Sequence, residues 1–196
     1  LLLLRIALVM RPDFPAAKLM IADILEGDRR FEAAAEVLSQ VRRDSAYAPA
    51  ARVRLAIVLD RLDRTDAAIA ELESLAAAEP TRAEPLARLG DILRGRSRFV
   101  EAAAAYDRAV ARLGPPERRQ WALYYSRGIA LERAKDWPRA EADFLRALQL
   151  SPDQPYVLNY LGYSWVEQGR EFARAKRMIE RAVELRPHDG HIIDSL

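Results

Sequence analysis

Two histidines, His188 and His191, stand three residues apart beside Asp189 and Asp194, and they are the only imidazoles in the chain. Metal ligation at such a pair needs further ligands held on rigid elements, and these four residues read instead as a solvated turn leading into a helix. No serine can be matched to a histidine base by motif, cysteine is absent, and the glycines form neither a phosphate-cradling loop nor a dinucleotide fingerprint. Carboxylates are plentiful but interleave with arginines, as on solvated or ion-paired helix faces. The sequence therefore predicts no catalytic residue, no metal and no cofactor. Its distinctive chemistry is aromatic: Tyr125, Tyr156, Tyr160 and Tyr163 cluster with Asn159 and Ile129 in the C-terminal half. Tyrosine buries a large rigid face while keeping a hydroxyl for hydrogen bonding, and an asparagine amide both donates and accepts. Those groups suit recognition of a protein or peptide segment.

What must position them is a repeated unit. Pro12 and Pro80 stand two steps of 34 residues apart, Pro152 follows after two more steps and a four-residue insertion, and Ala34, Ala68 and Ala102 share the 34-residue step. With each repeat numbered from 1 to 34, the rows are residues 15–48, 49–82, 83–116, 121–154 and 155–189. Residues 117–120 are an insertion, and residues 1–14 and 190–196 are partial repeats. Position 8 holds Ala22, Ala56, Gly90, Gly128 and Gly162; position 20 holds Ala34, Ala68, Ala102, Ala140 and, one residue late, Ala175. Small residues at both places let the two helices of a unit, A and B, cross closely. Leu25, Leu59, Leu93, Leu131 and Trp165 at position 11, with Leu38, Leu72, Tyr106, Phe144 and Ile179 at position 24, supply the large groups around them. Positions 4, 7, 8 and 11 make one helical face, and no stretch shows the sustained alternation of a half-buried strand. Gly27, Gly95 and Gly169 are expected near the ends of the A helices, where glycine makes a left-handed residue cheap, and the prolines at position 32 are expected to end the B helices.

These recurring positions resemble the tetratricopeptide repeat over essentially the whole chain. The resemblance implies an all-α solenoid, a right-handed superhelix of antiparallel helix pairs, acting as a non-catalytic scaffold whose concave groove binds a partner segment. The groove stripe is formed by A-helix positions 2, 5, 9 and 12. It includes Asp91 and Arg94 in the third repeat, Tyr125 and Ile129 in the fourth, and Tyr156, Asn159 and Tyr163 in the fifth, with Tyr160 adjacent. These eight residues are the expected partner contacts. A carboxylate clamp for chaperone tails is not among the expectations, because position 5 has no lysine and position 6 holds Met20, Arg54, Arg88, Ser126 and Tyr160. Two departures, Arg127 at a usually apolar place and the four-residue insertion, predict a looser or specialised fourth interface.

Composition narrows the partner class. Thirty-one basic residues against 29 acidic ones leave a net charge of +2, dispersed rather than gathered on one face, so nucleic acid is not implied. Lysine occurs only at Lys18, Lys135 and Lys176; the preference for arginine and alanine suggests a GC-rich bacterial genome. The apolar run Leu1–Met10 is too short to span a bilayer and fits the register of a B helix rather than a targeting segment. The stretch from Tyr156 to Leu196, with LNYLGYSW, a lengthened turn, ERAVELRP and DSL, resembles the C-terminal repeats of proteobacterial envelope arrays, many of them lipoproteins. That likeness implies the periplasm or outer membrane and an adaptor for a carboxyl-terminal processing protease. Two alternatives are a substrate-recruiting arm of a larger glycosyltransferase or kinase, and self-association through exposed repeat ends.

Overall fold

The computed structural model describes residues 2–195, and every regular element among them is helical. The chain divides into two compact units between Arg98 and Phe99. The first contains α1 (Leu2–Met10), α2 (Pro15–Gly27), α3 (Phe31–Ser39), α4 (Ala48–Arg61), α5 (Thr65–Ala78) and α6 (Glu84–Gly95). The second contains α7 (Phe99–Val110), α8 (Trp121–Arg133), α9 (Trp137–Leu150), α10 (Pro155–Glu167), α11 (Phe172–Leu185) and the short α12 (Gly190–Ile193). Within each unit every helix packs on the next in sequence.

The small-and-large pattern is what fills the core. Ala34, Ala68, Ala102, Ala140 and Ala175 are all fully buried, and Leu72, Tyr106 and Phe144 are as completely enclosed beside them. At Gly128 the reason for a missing side chain is direct: a Cβ there would stand 2.6 Å from Cε1 of Phe144, so α8 approaches α9 only because it carries no side chain at that point. Gly162 plays the same part on α10, where a Cβ would meet Cγ1 of Ile179 at 2.9 Å and the Ala175 carbonyl oxygen at 3.1 Å.

The turns correct one expectation. Gly27 and Gly95 do not take the left-handed conformation; they lie in the last turn of α2 and α6 with open space around them. The chain reverses two residues later, at Arg29 (φ 57°) and Ser97 (φ 59°), and equivalently at Asp63 (φ 57°) and Lys135 (φ 69°). A left-handed non-glycine residue costs about 1 kcal/mol, and here it lets the following backbone N–H close the helix end, as Arg30 N does on the Leu25 carbonyl at 2.7 Å. In the lengthened turn before α11 both Gly169 (φ 68°) and Glu171 (φ 55°) are left-handed.

Arg127 does not loosen its surroundings. Its guanidinium forks onto both carboxylate oxygens of Asp143 at 2.6 Å and reaches Asp107 at 3.0 Å, tying α8 to α9 and α7. Asp107 also accepts from Arg139 at 2.6 Å. Burial pushes the Asp143 carboxyl up against the pull of Arg127; burial likewise opposes the Arg127 charge, yet the two carboxylates hold it above its ordinary value. In the first unit Arg54 bridges Asp23 and Glu26, and Arg96 bonds Asp60 and Asp63 at 2.9 and 3.0 Å. The buried Lys18 donates from Nζ to the Gln40 carbonyl at 2.8 Å, capping the C-terminal end of α3 with a cation. On α1, Leu4 and Leu8 pack on the core while Leu2, Leu3, Ile6, Val9 and Met10 are exposed.

Candidate functional site

In α8 and α10 of the second unit, one face of each helix is spent on the core and the adjoining face carries the tyrosines. Val157, Leu158, Leu161 and Trp165 of α10 are buried, which leaves Tyr156 and Tyr163 exposed, at 39% and 44%, on the neighbouring stripe. Tyr160 lies between the two faces. It is half-buried, edge-on to Tyr125 at a ring separation of 6.0 Å, and 5.2 Å from the ring of Phe144. Tyr125 in turn contacts Trp121 and Phe144, and Phe144 contacts Trp137, so the tyrosine face rests on a connected aromatic core.

The hydroxyls are tied to carboxylates. Tyr160 donates to Oε2 of Glu132 at 3.1 Å, and Tyr156 donates to Oδ2 of Asp189 at 3.3 Å while Arg186 stacks on its ring. Burial first, and the Glu132 charge second, push the Tyr160 phenol well above its ordinary value, so it remains a donor at any physiological pH. Beside it opens a cleft of about 300 Å³ lined by Glu132, Arg133, Lys135, Tyr160, Tyr163, Ser164 and Glu167. Asn159, half-buried on α10, presents a buried Oδ1 with no hydrogen-bond partner among the described residues. A buried acceptor without a donor is costly, by about 1–3 kcal/mol, unless something supplies one.

Of the residues expected to contact a partner, the structure brings Tyr125 and Tyr160 into contact and sets Tyr160 and Tyr163 on one cleft. Tyr156 and Asn159 lie on the same helix, and half-buried Ile129 lies on α8 between Tyr125 and Glu132. Asp91 and Arg94 belong to α6 of the first unit, where Arg88 donates to Asp91 at 3.1 Å and Arg94 lies 4.0 Å from it. Sequence reasoning did not select Glu132, Arg133, Lys135, Ser164 or Glu167. Glu132 occupies position 12 of the stripe and was legible there; Lys135 reaches the cleft through the left-handed turn after α8, which the repeat pattern does not reveal. His188, before α12, and His191, within it, are exposed, and no group of three or more potential metal ligands gathers among the described residues.

The model of the tetratricopeptide repeat-like domain matches residues 14–123, and that of the tetratricopeptide repeat matches residues 121–154. The chain belongs to the tetratricopeptide repeat family. This tetratricopeptide chain is 31% identical over 74 residues to the TPR repeat-containing protein PA4667 of Pseudomonas aeruginosa; the match takes in 38% of this chain and 12% of that protein's length. Its fold is similar to that of YrrB, described as a TPR protein with an unusual peptide-binding site, with a TM-score of 0.67 over 98% of this chain and 96% of that one at 14% identity. It is also similar to PilF of Pseudomonas aeruginosa (TM-score 0.73, 18% identity, 87% of this chain and 75% of that one). A third likeness is to the Cut9–Hcn1 assembly of the APC/C (TM-score 0.75, 17% identity), where it spans 98% of itself and 37% of the matched chain. At such identities the structural likenesses speak for the helix-pair solenoid alone. The family and the architecture are those of a protein-protein interaction module, and no helix among the described residues is long and apolar enough to cross a membrane.

Proposed function

We propose that this tetratricopeptide chain binds a segment of a partner protein on the tyrosine face of α8 and α10. The observation that carries the reading is the pair of exposed tyrosines, Tyr156 and Tyr163, on the helix whose Tyr160 is packed on Tyr125 and Phe144, with Tyr163 and Tyr160 lining a cleft. Rigid, partly wet aromatic groups lose little entropy on binding and dominate interface energetics. Tyr160 lines the cleft with Tyr125 packed behind it, and Ile129 and half-buried Asn159 lie on the same two helices; an asparagine amide, which both donates and accepts, suits the backbone of an extended segment. Asp91 and Arg94 are proposed as contacts of the first unit in their own right. The finer role is an adaptor in the bacterial envelope that presents substrates to a carboxyl-terminal processing protease, supported by the likeness of residues 156–196 to proteobacterial envelope arrays.

The test is capture of partners with the wild-type chain and with Tyr163→Ala, followed by affinity measurement on the partner obtained. Single changes Tyr163→Ala, Asn159→Ala and Tyr125→Ala are expected to weaken binding by about 1–3 kcal/mol each with helicity retained. Unchanged affinity in all three would refute the face as the site.

A further inference from the structure

Arginine, an aromatic ring and a carboxylate come together repeatedly in the second unit. At Tyr156 the hydroxyl donates to Asp189 and the Arg186 guanidinium lies 5.3 Å over the ring. At Trp165 the indole N–H donates to Glu141 at 2.6 Å, Arg174 lies 4.7 Å over the ring, and Arg170 bonds the same carboxylate at 2.9 Å. At Tyr124 the ring carries Arg127, which is itself forked onto Asp143. Each ring thus has a guanidinium over it and a carboxylate close by, bonded to the same arginine at Tyr124, to the indole and a second arginine at Trp165, and to the phenol at Tyr156; a planar, weakly hydrated guanidinium suits such a place better than lysine's compact ammonium.

One such set lacks its arginine. Tyr160 donates to Glu132 as Tyr156 does to Asp189, and Tyr163 and Glu167 line the same cleft, yet among the described residues no cation lies over either tyrosine ring. Nor does any described cation pair with Glu132 or Glu167. Glu132 is the more telling of the two, because it is half-buried and its one described bond is from a neutral phenol. A partly desolvated carboxylate without a counter-ion is an incomplete electrostatic arrangement. The two basic residues lining the cleft do not complete it: Arg133 lies 4.8 Å over the ring of Phe99, and Lys135 sits exposed in the turn.

We propose that the cleft between α8 and α10 receives an arginine side chain of the partner segment, its guanidinium seated against Tyr160 and Tyr163 with Glu132 as counter-charge. This rests on the tyrosine face being the binding surface, and it names the chemistry that the face selects. A partner presenting an acidic side chain to Arg133 and Lys135 is the competing outcome.

Three acetylated and amidated peptides, identical except for a central arginine, citrulline or glutamate, are titrated into the whole chain while the tyrosine ring signals are followed by NMR. The arginine peptide is expected to shift Tyr160 and Tyr163. The citrulline peptide, of the same shape without the charge, is expected to bind at least about tenfold more weakly, and the glutamate peptide no better. Glu132→Gln keeps an acceptor for the Tyr160 hydroxyl and is expected to cost the arginine peptide the same factor with the thermal midpoint unchanged. Equal binding of arginine and citrulline, preference for glutamate, absence of any shift, or indifference to Glu132→Gln would each overturn the inference. The two readings fail separately: a captured partner that needs Tyr163 but ignores Glu132→Gln leaves the binding face standing without its arginine, whereas one that ignores Tyr163→Ala removes the face itself.

Discussion

The same substitution should have opposite signs at two glycines of this chain. Glycine in a helix interior is less favourable than alanine by about 0.8–1 kcal/mol, so Gly→Ala stabilises wherever the added methyl has room. At Gly95, the last residue of α6, where an added Cβ would have nothing within 4 Å, the expected gain is smaller, about 0.5 kcal/mol. At Gly128 the methyl would meet Phe144 at 2.6, 2.9 and 3.0 Å, against the roughly 3.5–4.0 Å that two carbons prefer, so ring or helix must retreat by about 1 Å. The ring has little room to do so, being fully buried and held by Tyr125, Trp137 and Tyr160. Overpacking of that kind costs about 1–3 kcal/mol and outweighs the propensity gain, leaving Gly128→Ala destabilised by up to about 2 kcal/mol. Because the ring touches Tyr160, the near-ultraviolet circular dichroism should change with it. Urea unfolding followed by far-ultraviolet circular dichroism measures both variants, and Phe144→Leu alone and combined with Gly128→Ala completes the cycle: the smaller side chain should cost less stability in the Gly128→Ala background than in the wild type. If Gly128→Ala is as stable as Gly95→Ala, the close approach of α8 to α9 is not what excludes a side chain there, and the reasoning fails.

Arg127→Met leaves Asp143 buried without its partner and should cost about 3–5 kcal/mol at neutral pH, whereas Arg127→Met with Asp143→Leu should recover most of the loss. The pH dependence has a definite sign. Burial already raises the Asp143 carboxyl and removing Arg127 raises it further, so the folded value exceeds the unfolded one; stability from this group is fully present below the unfolded value and is lost as pH rises through the folded value. The deficit of the single variant should therefore shrink on acidification, and a pH-independent deficit in urea titrations would count against an uncompensated charge. Lys18→Met keeps the apolar stem but removes the cap on the Gln40 carbonyl; a loss of about 0.5–1.5 kcal/mol is expected, read from the shift in the urea midpoint at unchanged slope.

Much of the fold was legible because the helix pair repeats its packing demands every 34 residues. Ala34, Ala68, Ala102, Ala140 and Ala175 recur because the crossing point of two helices has no space, and Gly128 and Gly162 recur for the same steric reason. The helix ends were less legible. Gly27 and Gly95 suggested a left-handed stop, but φ turns positive at Arg29 and Ser97, since a helix end is set by which carbonyl the reversing chain can satisfy and not by residue type alone. The tyrosine stripe was readable as a stripe, and its division into parts was not. Tyr160 and Tyr163 are three residues apart with similar chemistry, yet one is half-buried against Phe144 and bonded to Glu132 while the other stands in solvent.

The amino-acid pattern by itself determined the family, the helical architecture, the small-residue crossings and the presence of an aromatic face in the C-terminal half. All of these follow from local periodicity, in which a side chain's direction depends only on its place along one helix. Tertiary structure decided what no single helix contains: that Arg127 is a buried tie to Asp143 and Asp107, that Lys18 caps a neighbouring helix, and that Glu132 from α8 meets Tyr160 from α10 at the edge of a cleft. Charge and hydrogen-bond pairing across helices depends on distances of about 3 Å between residues far apart in sequence, and a repeat register fixes faces, not those distances.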